Sequence, residues 1–234
     1  MKTTIYCPDC GKMLEVTVLD KEPQKIKLVK KNNIETNWLD VKKAVIENAA
    51  GVFEVGDKIS CTLKNGQVIE FTVAAINPYG KNEVAFITED LLDDEYQMNE
   101  ENTNKGGWSK SDLRTTLNTK IFDLLPDELQ AVIKPRTIVQ DIYDAVFKST
   151  DKLWIPSRKE LFGVDNDVDK GDVHFPLFNT YKSRVKNRKG QYEWYWTRSP
   201  LASSSTTFCF VHSNGPSTSS NANFSYGVAF GFLL

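Results

Sequence analysis

The sequence predicts an α+β domain, on the strength of three patterns in different parts of the chain. Within residues 38–50, apolar side chains recur at helical spacing after Asn37, a good N-cap residue. These side chains are Trp38, Val41, Val45 and Ala49. Two predicted strands, residues 58–63 and 68–73, flank Asn65-Gly66, which is a strong hairpin signal. Aromatic stretches near the C-terminus, such as 208–211, predict further short strands.

Length, composition and charge limit the classes of protein to which the chain can belong. Its 234 residues suffice for one large domain, or for one domain with a small appendage. A net charge of -2 provides no field to attract nucleic acid, so we predict no nucleic-acid partner. No apolar run approaches the ~20 residues of a membrane span, and the N-terminus lacks the apolar core of a secretory signal. We therefore expect no membrane span, and a location in the cytoplasm or in a phage particle.

The middle of the chain predicts a three-strand meander followed by helices. A third strand at 83–88 completes the meander, and the polar, acidic stretch 90–105 predicts an exposed loop. Ser111 is a plausible cap for a helix, and Pro126 begins a second, short helix. The first of these helices carries an apolar stripe of Leu113, Leu117, Ile121 and Leu124.

The last third predicts short elements joined by loops. We expect a buried strand at 153–155 and a brief helix that begins with a capping box at Ser157 and Glu160 and ends at Gly163. A loop is expected at 164–190. Strands are expected at 193–196, 208–211 and 228–232, with loops between them. Most of their aromatic side chains should be core, and Arg198 should be a structural hydrogen-bond hub.

Cys7 and Cys10 form a Cys-x-x-Cys turn within a small N-terminal segment, residues 1–35, that is similar to a zinc knuckle. A closed zinc site needs about four ligands, and no second such pair is present. The pair is therefore either a half-site that another chain completes or a remnant that binds nothing. No cofactor is required by the sequence, and zinc at this pair is the one candidate.

The acidic stretch at 165–172, DNDVDKGD, resembles a calcium loop. Lys170 stands where such a loop needs glycine, and Pro176 where it needs its last carboxylate. We therefore predict an exposed acidic loop here.

Motifs for catalysis are absent from the sequence. It has no glycine-rich phosphate loop and no nucleophile elbow, and its two histidines belong to no metalloprotease motif. Cys209 lies in an aromatic strand, where a buried apolar role is usual. We predict that the protein is not an enzyme.

Several motifs occur in a fixed order along residues 36–234. They are MN at 98–99, NTNKGGWSKSDLRTTLN at 102–118, LPDEL at 125–129, DKLWIPS at 151–157, ELFG at 160–163, YWTRSP at 195–200 and GVAF at 227–230. Together they resemble an uncharacterised domain family of gut bacteria and their phages, related to the C-type-lectin-like fold of the formylglycine-generating-enzyme type. The resemblance implies that fold for residues 36–234: an antiparallel meander, central helices and C-terminal aromatic strands.

Two departures from the family pattern limit what the resemblance implies. Ala229 stands where the family commonly has arginine. The formylglycine enzymes use a pair of active-site cysteines, and Cys209 is the one cysteine in the matching half of this chain. Catalysis is therefore not carried over.

Proteins of this fold also serve as variable proteins of diversity-generating retroelements, in which adenine-directed mutagenesis rewrites Asn codons near the 3′ end of a gene. Such codons cannot become those for Lys, Glu, Gln, Met or Trp. Residues 202–226 contain none of these five, and they contain eight Ser, three Thr and three Asn. The alternative is a serine-rich loop without such a history.

The resemblance thus implies a ligand-binding module with a variable-type C-terminal region, 194–234. Its predicted contacts with a protein or glycan ligand are Ser203, Ser204, Ser205, Thr206, Thr207, His212, Ser213, Asn214, Ser217, Thr218, Ser219, Ser220, Asn221, Asn223, Phe224, Ser225 and Tyr226. We expect His212, Phe224 and Tyr226 to anchor the ligand. Two alternatives are a formylglycine-generating-type enzyme and an invariant structural protein of a phage or cell surface. An oligomer is compatible with the sequence.

Overall fold

A computed structural model of the chain describes residues 2–6, 13–17, 37–164 and 168–234. These residues form an α+β architecture of antiparallel sheets and short helices, which confirms the predicted class. The first two strands, β1 (Lys2–Tyr6) and β2 (Met13–Thr17), pair with each other. Cys7 and Cys10 lie outside the described residues, and the zinc half-site therefore stays a prediction.

Helix α1 (Trp38–Val52) begins where the sequence predicts. The Asn37 side chain accepts hydrogen bonds from the amides of Leu39 and Asp40, at 3.0 and 3.3 Å. The predicted apolar stripe is buried throughout. The helix continues to Val52 instead of ending at Gly51, past a break at Asn48 (φ -162°, ψ 71°).

A four-stranded sheet contains the predicted meander and the end of the chain. The meander is β3 (Lys58–Thr62), β4 (Val68–Ile76) and β5 (Val84–Thr88). The C-terminal strand β16 (Gly231–Leu233) pairs with β5 on its other edge, giving the order β16-β5-β4-β3. A strand near the C-terminus was predicted at 228–232, but its place in the meander sheet was not.

Helix α1 covers this sheet through an aromatic cluster. The Trp38 ring packs edge-on against Phe71 and Phe232, with centroids 6.1 and 5.9 Å apart. Phe86 and Phe232 stack at 5.4 Å. Because all four rings are at most 2% exposed, they tie the helix, the meander and the last strand into one core.

Segment 90–105 is not the exposed loop that the sequence predicts. Leu91, Leu92 and Met98 are buried, and backbone bonds join this segment to the C-terminal region. Its strand β6 (Tyr96–Gln97) pairs with β15 (Ser225–Tyr226). The prediction was wrong because it weighed the acidic residues of the segment and not its isolated apolar ones.

The central helices follow in the predicted order. A 3₁₀ turn (Trp108–Lys110) precedes α2 (Asp112–Thr116), a π-helical turn (Leu117–Ile121), α3 (Phe122–Leu124) and α4 (Asp127–Val132). The Ser111 hydroxyl caps α2 by accepting from the amide of Arg114 at 3.2 Å. Leu113, Leu117 and Ile121 are buried and Leu124 is half-buried, as the stripe predicts.

A hairpin that the sequence analysis missed follows these helices. Strands β7 (Arg136–Ile142) and β8 (Ala145–Asp151) are joined at Tyr143 and Asp144, whose φ angles are 52° and 62°. Such turns usually contain Asn-Gly, Asp-Gly or Gly-Gly, and no glycine is present here. A third strand, β9 (Asp169–Lys170), pairs with β7.

The last part of the fold contains a second set of strands. The capping box at Ser157 and Glu160 begins α5 (Arg158–Phe162), and Gly163 ends it with φ 64°, as predicted. Residues 153–155 are buried, but they form only an isolated bridge from Trp154 to Gly231. The predicted loop 164–190 contains β9, 3₁₀ turns at Pro176–Phe178 and Lys182–Arg184, and strand β10 (Lys186–Arg188), which pairs with β11 (Gln191–Glu193).

A three-stranded sheet then carries most of the C-terminal region. It has the order β12 (Tyr195–Pro200), β13 (Thr207–Val211) and β14 (Ser217–Asn221). Strand β14 corrects the sequence analysis, which predicted only loop between 211 and 228. Its sequence, STSSN, has no apolar alternation from which a strand could be recognised.

Four charged side chains meet in the interior between these sheets. Arg198 Nη1 and Nη2 donate to the two carboxylate oxygens of Glu160 at 2.6 and 2.8 Å, and Nη2 also donates to Asp172. Arg136 donates to the same two carboxylates, at 2.6 Å from its Nη1 to Glu160 Oε1. All four are at most 6% exposed. We call Arg136, Glu160, Asp172 and Arg198 the buried ion cluster.

The cluster confirms one prediction and corrects another. Arg198 is the structural hydrogen-bond hub that was predicted, since it also donates to the carbonyl of Ile155 at 2.6 Å. The predicted exposed acidic loop is wrong for Asp169 and Asp172, which are 1% and 5% exposed. Residues 165–167 lie outside the described residues.

Carboxyl groups outnumber guanidinium groups in this region. The pKa values of two of the carboxyl groups, those of Glu160 and Asp172, are shifted in opposite directions. Two arginines face Glu160, Asp172 and the adjacent Asp169, which accepts hydrogen bonds from Gln140 and Ser199. Burial and the neighbouring carboxylates raise the pKa of Asp172 to about 6. The pKa of Glu160 falls to about 2, because Arg198 and Arg136 more than offset its burial.

Replacing Glu160 with Gln should destabilise the fold severely. The change leaves buried guanidinium groups without their main counter-charge, which typically costs about 3–5 kcal/mol. Urea unfolding measures this as a loss of unfolding free energy. The matched control is Glu95→Gln, because Glu95 pairs with Arg188 near the surface, where a pair contributes ~0–1 kcal/mol. Equal losses in both variants would contradict the account.

The stability should also depend on pH through Asp172. Its native pKa is above its ordinary value of 3.8, so its contribution is fully present below that value and is lost as the pH rises through about 6. Glu160 acts in the opposite direction, since its depressed pKa gives stability above 4.5 that is lost as the pH falls toward 2. Urea unfolding from about pH 7 to about pH 4 should show wild type gaining stability relative to Asp172→Asn. A constant difference would contradict the assignment.

Candidate ligand-binding surface

The residues predicted as ligand contacts lie on the three-stranded sheet and the turns around it. Thr207 begins β13, Ser217, Thr218, Ser219, Ser220 and Asn221 form β14, and Ser225 and Tyr226 form β15. The turns that join these strands carry the rest: Ser203, Ser204, Ser205, Thr206, His212, Ser213, Asn214, Asn223 and Phe224. The sheet therefore gathers side chains that the sequence spreads over more than twenty residues.

The register of β13 and β14 divides these side chains between two faces. Thr218 and Ser220 lie opposite Phe210 and Phe208, on the face that carries the aromatic residues. Ser219 lies opposite Cys209 on the other face, and Ser217 is on that same face. The two faces offer different chemistry, aromatic on one side and small and polar on the other.

The aromatic face is a packed cluster with an exposed rim. Phe210 stacks on Tyr226 at 4.8 Å and on Trp194 at 5.5 Å. His212 lies 4.9 Å from the Trp194 ring. Tyr226 is half-buried and its hydroxyl lies 2.9 Å from that of Ser220, whereas Trp194 and Phe224 are 38% and 51% exposed. Within residues 194–226, the exposed aromatic side chains are therefore Trp194 and Phe224.

Trp194 is a surface residue that the sequence analysis did not select. The alternation of Trp194 and Trp196 predicts one strand at 193–196 whose aromatic side chains belong to the core. The structure places Trp194 between β11 and β12, outside both strands. Phe224, a predicted anchor of the ligand, is exposed. Tyr226, another predicted anchor, is half-buried because its ring packs against Phe210.

Asn104 is the second residue that sequence reasoning missed, and it anchors the turn between β12 and β13. Its side-chain amide donates to the carbonyls of Ser204 and Thr207 at 2.6 and 2.8 Å, and to that of Leu201 at 3.4 Å. The Asn104 backbone amide donates to the carbonyl of Ser205 at 2.9 Å. Asn104 itself is fully buried. One asparagine therefore fixes the backbone of the turn without using any of its side chains.

The face opposite the aromatic cluster contains a cleft of about 140 Å³. It is lined by Arg158, Leu201, Cys209 and the first three residues of β14. Burial raises the pKa of the Cys209 thiol to about 11, so the thiol is neutral at physiological pH. The Arg158 guanidinium is thus the charged group of the cleft lining.

The described residues contain no group of three or more His, Cys, Asp or Glu side chains placed to share a metal ion. In the same part of the chain, none of the helices combines the length and apolar character that a bilayer crossing needs.

Replacing Asn104 with Ala should destabilise the protein and loosen the turn that precedes β13. The change removes the bonds that the Asn104 side chain donates to the carbonyls of Leu201, Ser204 and Thr207, and such bonds contribute about 0.5–1.5 kcal/mol each. Urea unfolding measures the loss, and hydrogen exchange should accelerate selectively in residues 201–207. Asn214→Ala is the matched control, because Asn214 is exposed, and such changes stay within about 0.5 kcal/mol. Unchanged exchange at 201–207 would contradict the role of Asn104.

Comparison with known proteins matches one family. Residues 82–234 match the family model described as a domain of unknown function, DUF6273. No curated protein and no solved structure matches the chain. The matched segment runs from just before β5 to the end of the chain, and it includes the buried ion cluster and the whole C-terminal surface. Because it covers more than half of the sequence, the chain belongs to the family of this domain of unknown function, DUF6273.

Proposed function

We propose that the protein is a ligand-recognition module of C-type-lectin-like fold, whose C-terminal surface is of the variable type found in retroelement-diversified proteins. The observation that carries the proposal is the way in which Asn104 holds the turn before β13. All of the bonds that its side-chain amide donates go to backbone carbonyls, and its Oδ1 accepts from the hydroxyl of Tyr143, which lies outside the turn. The exposed side chains of Ser203 and Ser205 are therefore free to change without loss of these bonds, whereas the Ser204 hydroxyl accepts a bond from the Thr206 amide at 3.3 Å.

The backbone of the rest of the surface is supported in a similar way. Strand β14 is held by its ladder with β13, and the turns at its two ends by the bonds from His212 N to Pro216 O and from Ala222 N to Thr206 O. Ala222 is fully buried and fixes the second turn from inside. Ladder bonds depend little on side-chain identity, so this segment also tolerates substitution at its exposed positions.

The chemistry of the surface suits recognition of varied ligands. Serine, threonine and asparagine provide adaptable donors and acceptors, and an exposed aromatic ring adds contact area at low entropic cost. Here Trp194 and Phe224 provide the rings, beside the hydroxyls of β14. This is the combination that antibody loops use, and it supports binding of a protein or glycan ligand.

The state of Cys209 favours recognition over the formylglycine-type enzyme. A catalytic thiol needs a lowered pKa or an adjacent base, and burial instead raises the pKa of Cys209 to about 11. The second described cysteine, Cys61, is buried in β3, and its pKa is raised to about 12. We therefore propose a non-enzymatic role.

Replacing exposed surface residues together should leave the fold intact. We expect the combined variant Ser203→Tyr, Ser205→Asp, Asn214→Tyr and Thr218→Tyr to melt within a few degrees of wild type, because single surface changes contribute about 0.5 kcal/mol or less. Calorimetry measures the shift. The control is Ala222→Tyr in the same segment, which overpacks a fully buried position and should unfold the protein or lower its melting temperature strongly.

The same variants test recognition. On panels of immobilised glycans and proteins, wild type and the combined variant should give different ligand profiles at equal stability. Sequencing the gene from independent isolates should find substitutions at adenines in the codons of exposed residues within 202–226. The codons of the buried residues Phe208 and Ala222 should be unchanged. If the combined variant unfolds, or if the isolates show no such substitutions, the proposal is wrong.

A further inference from the structure

The cleft behind β14 has the composition of an anion site. Its walls are Arg158, Leu201, Cys209 and Ser217, Thr218 and Ser219, around a volume of about 140 Å³. None of these six side chains is acidic, and the Cys209 thiol is neutral. The net charge of the lining is therefore that of one guanidinium group.

Arg158 is held in place by its backbone and still has bonding capacity to offer. It is the first residue of α5, and its amide donates to the Ser199 hydroxyl at 2.8 Å. Its Nε is buried and bonds no atom of the described residues. A buried donor without a partner is unfavourable, so a ligand that supplies an acceptor gains free energy at this atom.

Ser217 and Ser219 add donors on the opposite side of the cleft. Their side chains point toward the Cys209 face of the sheet, and neither hydroxyl is bonded within the part of the chain that the structure describes. In an antiparallel ladder, hydrogen-bonded and non-hydrogen-bonded residue pairs alternate. The bonds from His212 N to Pro216 O and from Ala222 N to Thr206 O show that Ser217 and Ser219 belong to non-hydrogen-bonded pairs. The backbone amides of Ser217 and Ser219 consequently point away from β13, along the open edge of the sheet.

Asp169, a buried carboxylate, is hydrogen-bonded by residues that do not line the cleft. Asp169 accepts hydrogen bonds from Gln140 Nε2 at 2.9 Å and from the Ser199 hydroxyl. Ser199 thus lies between Asp169 and the Arg158 backbone, which it also contacts. Among the described residues, those that line the cleft present a cation and hydroxyl donors and include no acid.

We propose that the cleft formed by Arg158, Ser217 and Ser219 binds a carboxylate group of the ligand. A guanidinium fork matches the two oxygens of a carboxylate, and the serine hydroxyls donate to the lone pairs that remain. A single guanidinium balances a singly charged group, which favours a carboxylate over a doubly charged phosphate. The inference rests on the proposed function, since it gives the recognition surface a polar anchor in which Arg158 lies outside the variable segment and Ser217 and Ser219 lie within it.

Acetate is the probe that tests the cleft in the intact protein. Amide NMR spectra, titrated with sodium acetate against sodium chloride at constant ionic strength, should show saturable shifts at Ser217 and Ser219. The dissociation constant should be on the order of 1–10 mM for so small a ligand. Shifts that do not saturate, or that spread evenly over the surface, would overturn the proposal. If sulfate or phosphate gives saturable shifts at these amides and acetate does not, the choice of a carboxylate is wrong.

Variants separate the cleft from general effects of charge. Arg158→Gln should weaken acetate binding at least ~10-fold, and Arg158→Lys should weaken it as well because lysine lacks the fork. The double change Ser217→Ala with Ser219→Ala should weaken it several-fold. Arg188→Gln is the control: Arg188 also has a buried, unbonded Nε, but its Nη2 already pairs with Glu95. Equal effects of Arg158→Gln and Arg188→Gln would refute the assignment.

The two proposals can fail separately. If acetate binds but gene isolates show no diversification, the cleft is a binding site on an invariant surface and the proposed function is wrong. If the surface is diversified but acetate does not bind, the recognition module stands and its ligands are not held by a carboxylate here.

Discussion

The pairing of Arg198 with Glu160 is the interaction on which the rest of the fold depends. It joins β12 to α5, and the shared partners Arg136 and Asp172 extend it to β7 and to the segment after β9. Charges taken out of water are costly unless each is paired and hydrogen-bonded. The cluster meets that condition only when all of these elements are in place, so it favours one arrangement of the central hairpin, the capping-box helix and the C-terminal sheet.

The position of the cluster explains how a polar, charge-poor surface can be stable. Arg198 fixes β12 from the inside, and β12 carries β13, which in turn carries β14. Asn104 fixes the turn between β12 and β13 through backbone carbonyls. Neither anchor uses a side chain of the predicted contact residues. We therefore expect the framework to contribute most of the folding free energy, which is compatible with the proposed role of the surface residues in recognition.

The sequence predicted those parts of the fold whose signals are local. Asn37 and Ser157 cap helices as expected, and Asn65-Gly66 marks the turn of the first large hairpin. The hairpin at 136–151 was missed because its turn residues, Tyr143 and Asp144, give no glycine or asparagine signal. Strand β14 was missed because its side chains are all polar and it depends on its ladder with β13.

Non-local contacts account for the remaining differences at the site. Asp172 seemed an exposed acid because its partners Arg198 and Arg136 lie 26 and 36 residues away in sequence. Asn104 lay in a stretch predicted to be an exposed loop, and its partner carbonyls begin 97 residues later. Pairing over such separations leaves no periodic pattern. The composition of residues 202–226 did indicate a surface, but only the structure locates the anchors that hold it.

A double-mutant cycle tests most directly whether the framework and the surface are energetically separate. It combines Glu160→Gln in the buried ion cluster with the four exposed substitutions at Ser203, Ser205, Asn214 and Thr218, and measures unfolding free energies in urea. The account predicts additive losses, with a coupling energy within about 0.5 kcal/mol. A coupling well above about 1 kcal/mol would show that the surface side chains contribute to the framework, and would contradict the account.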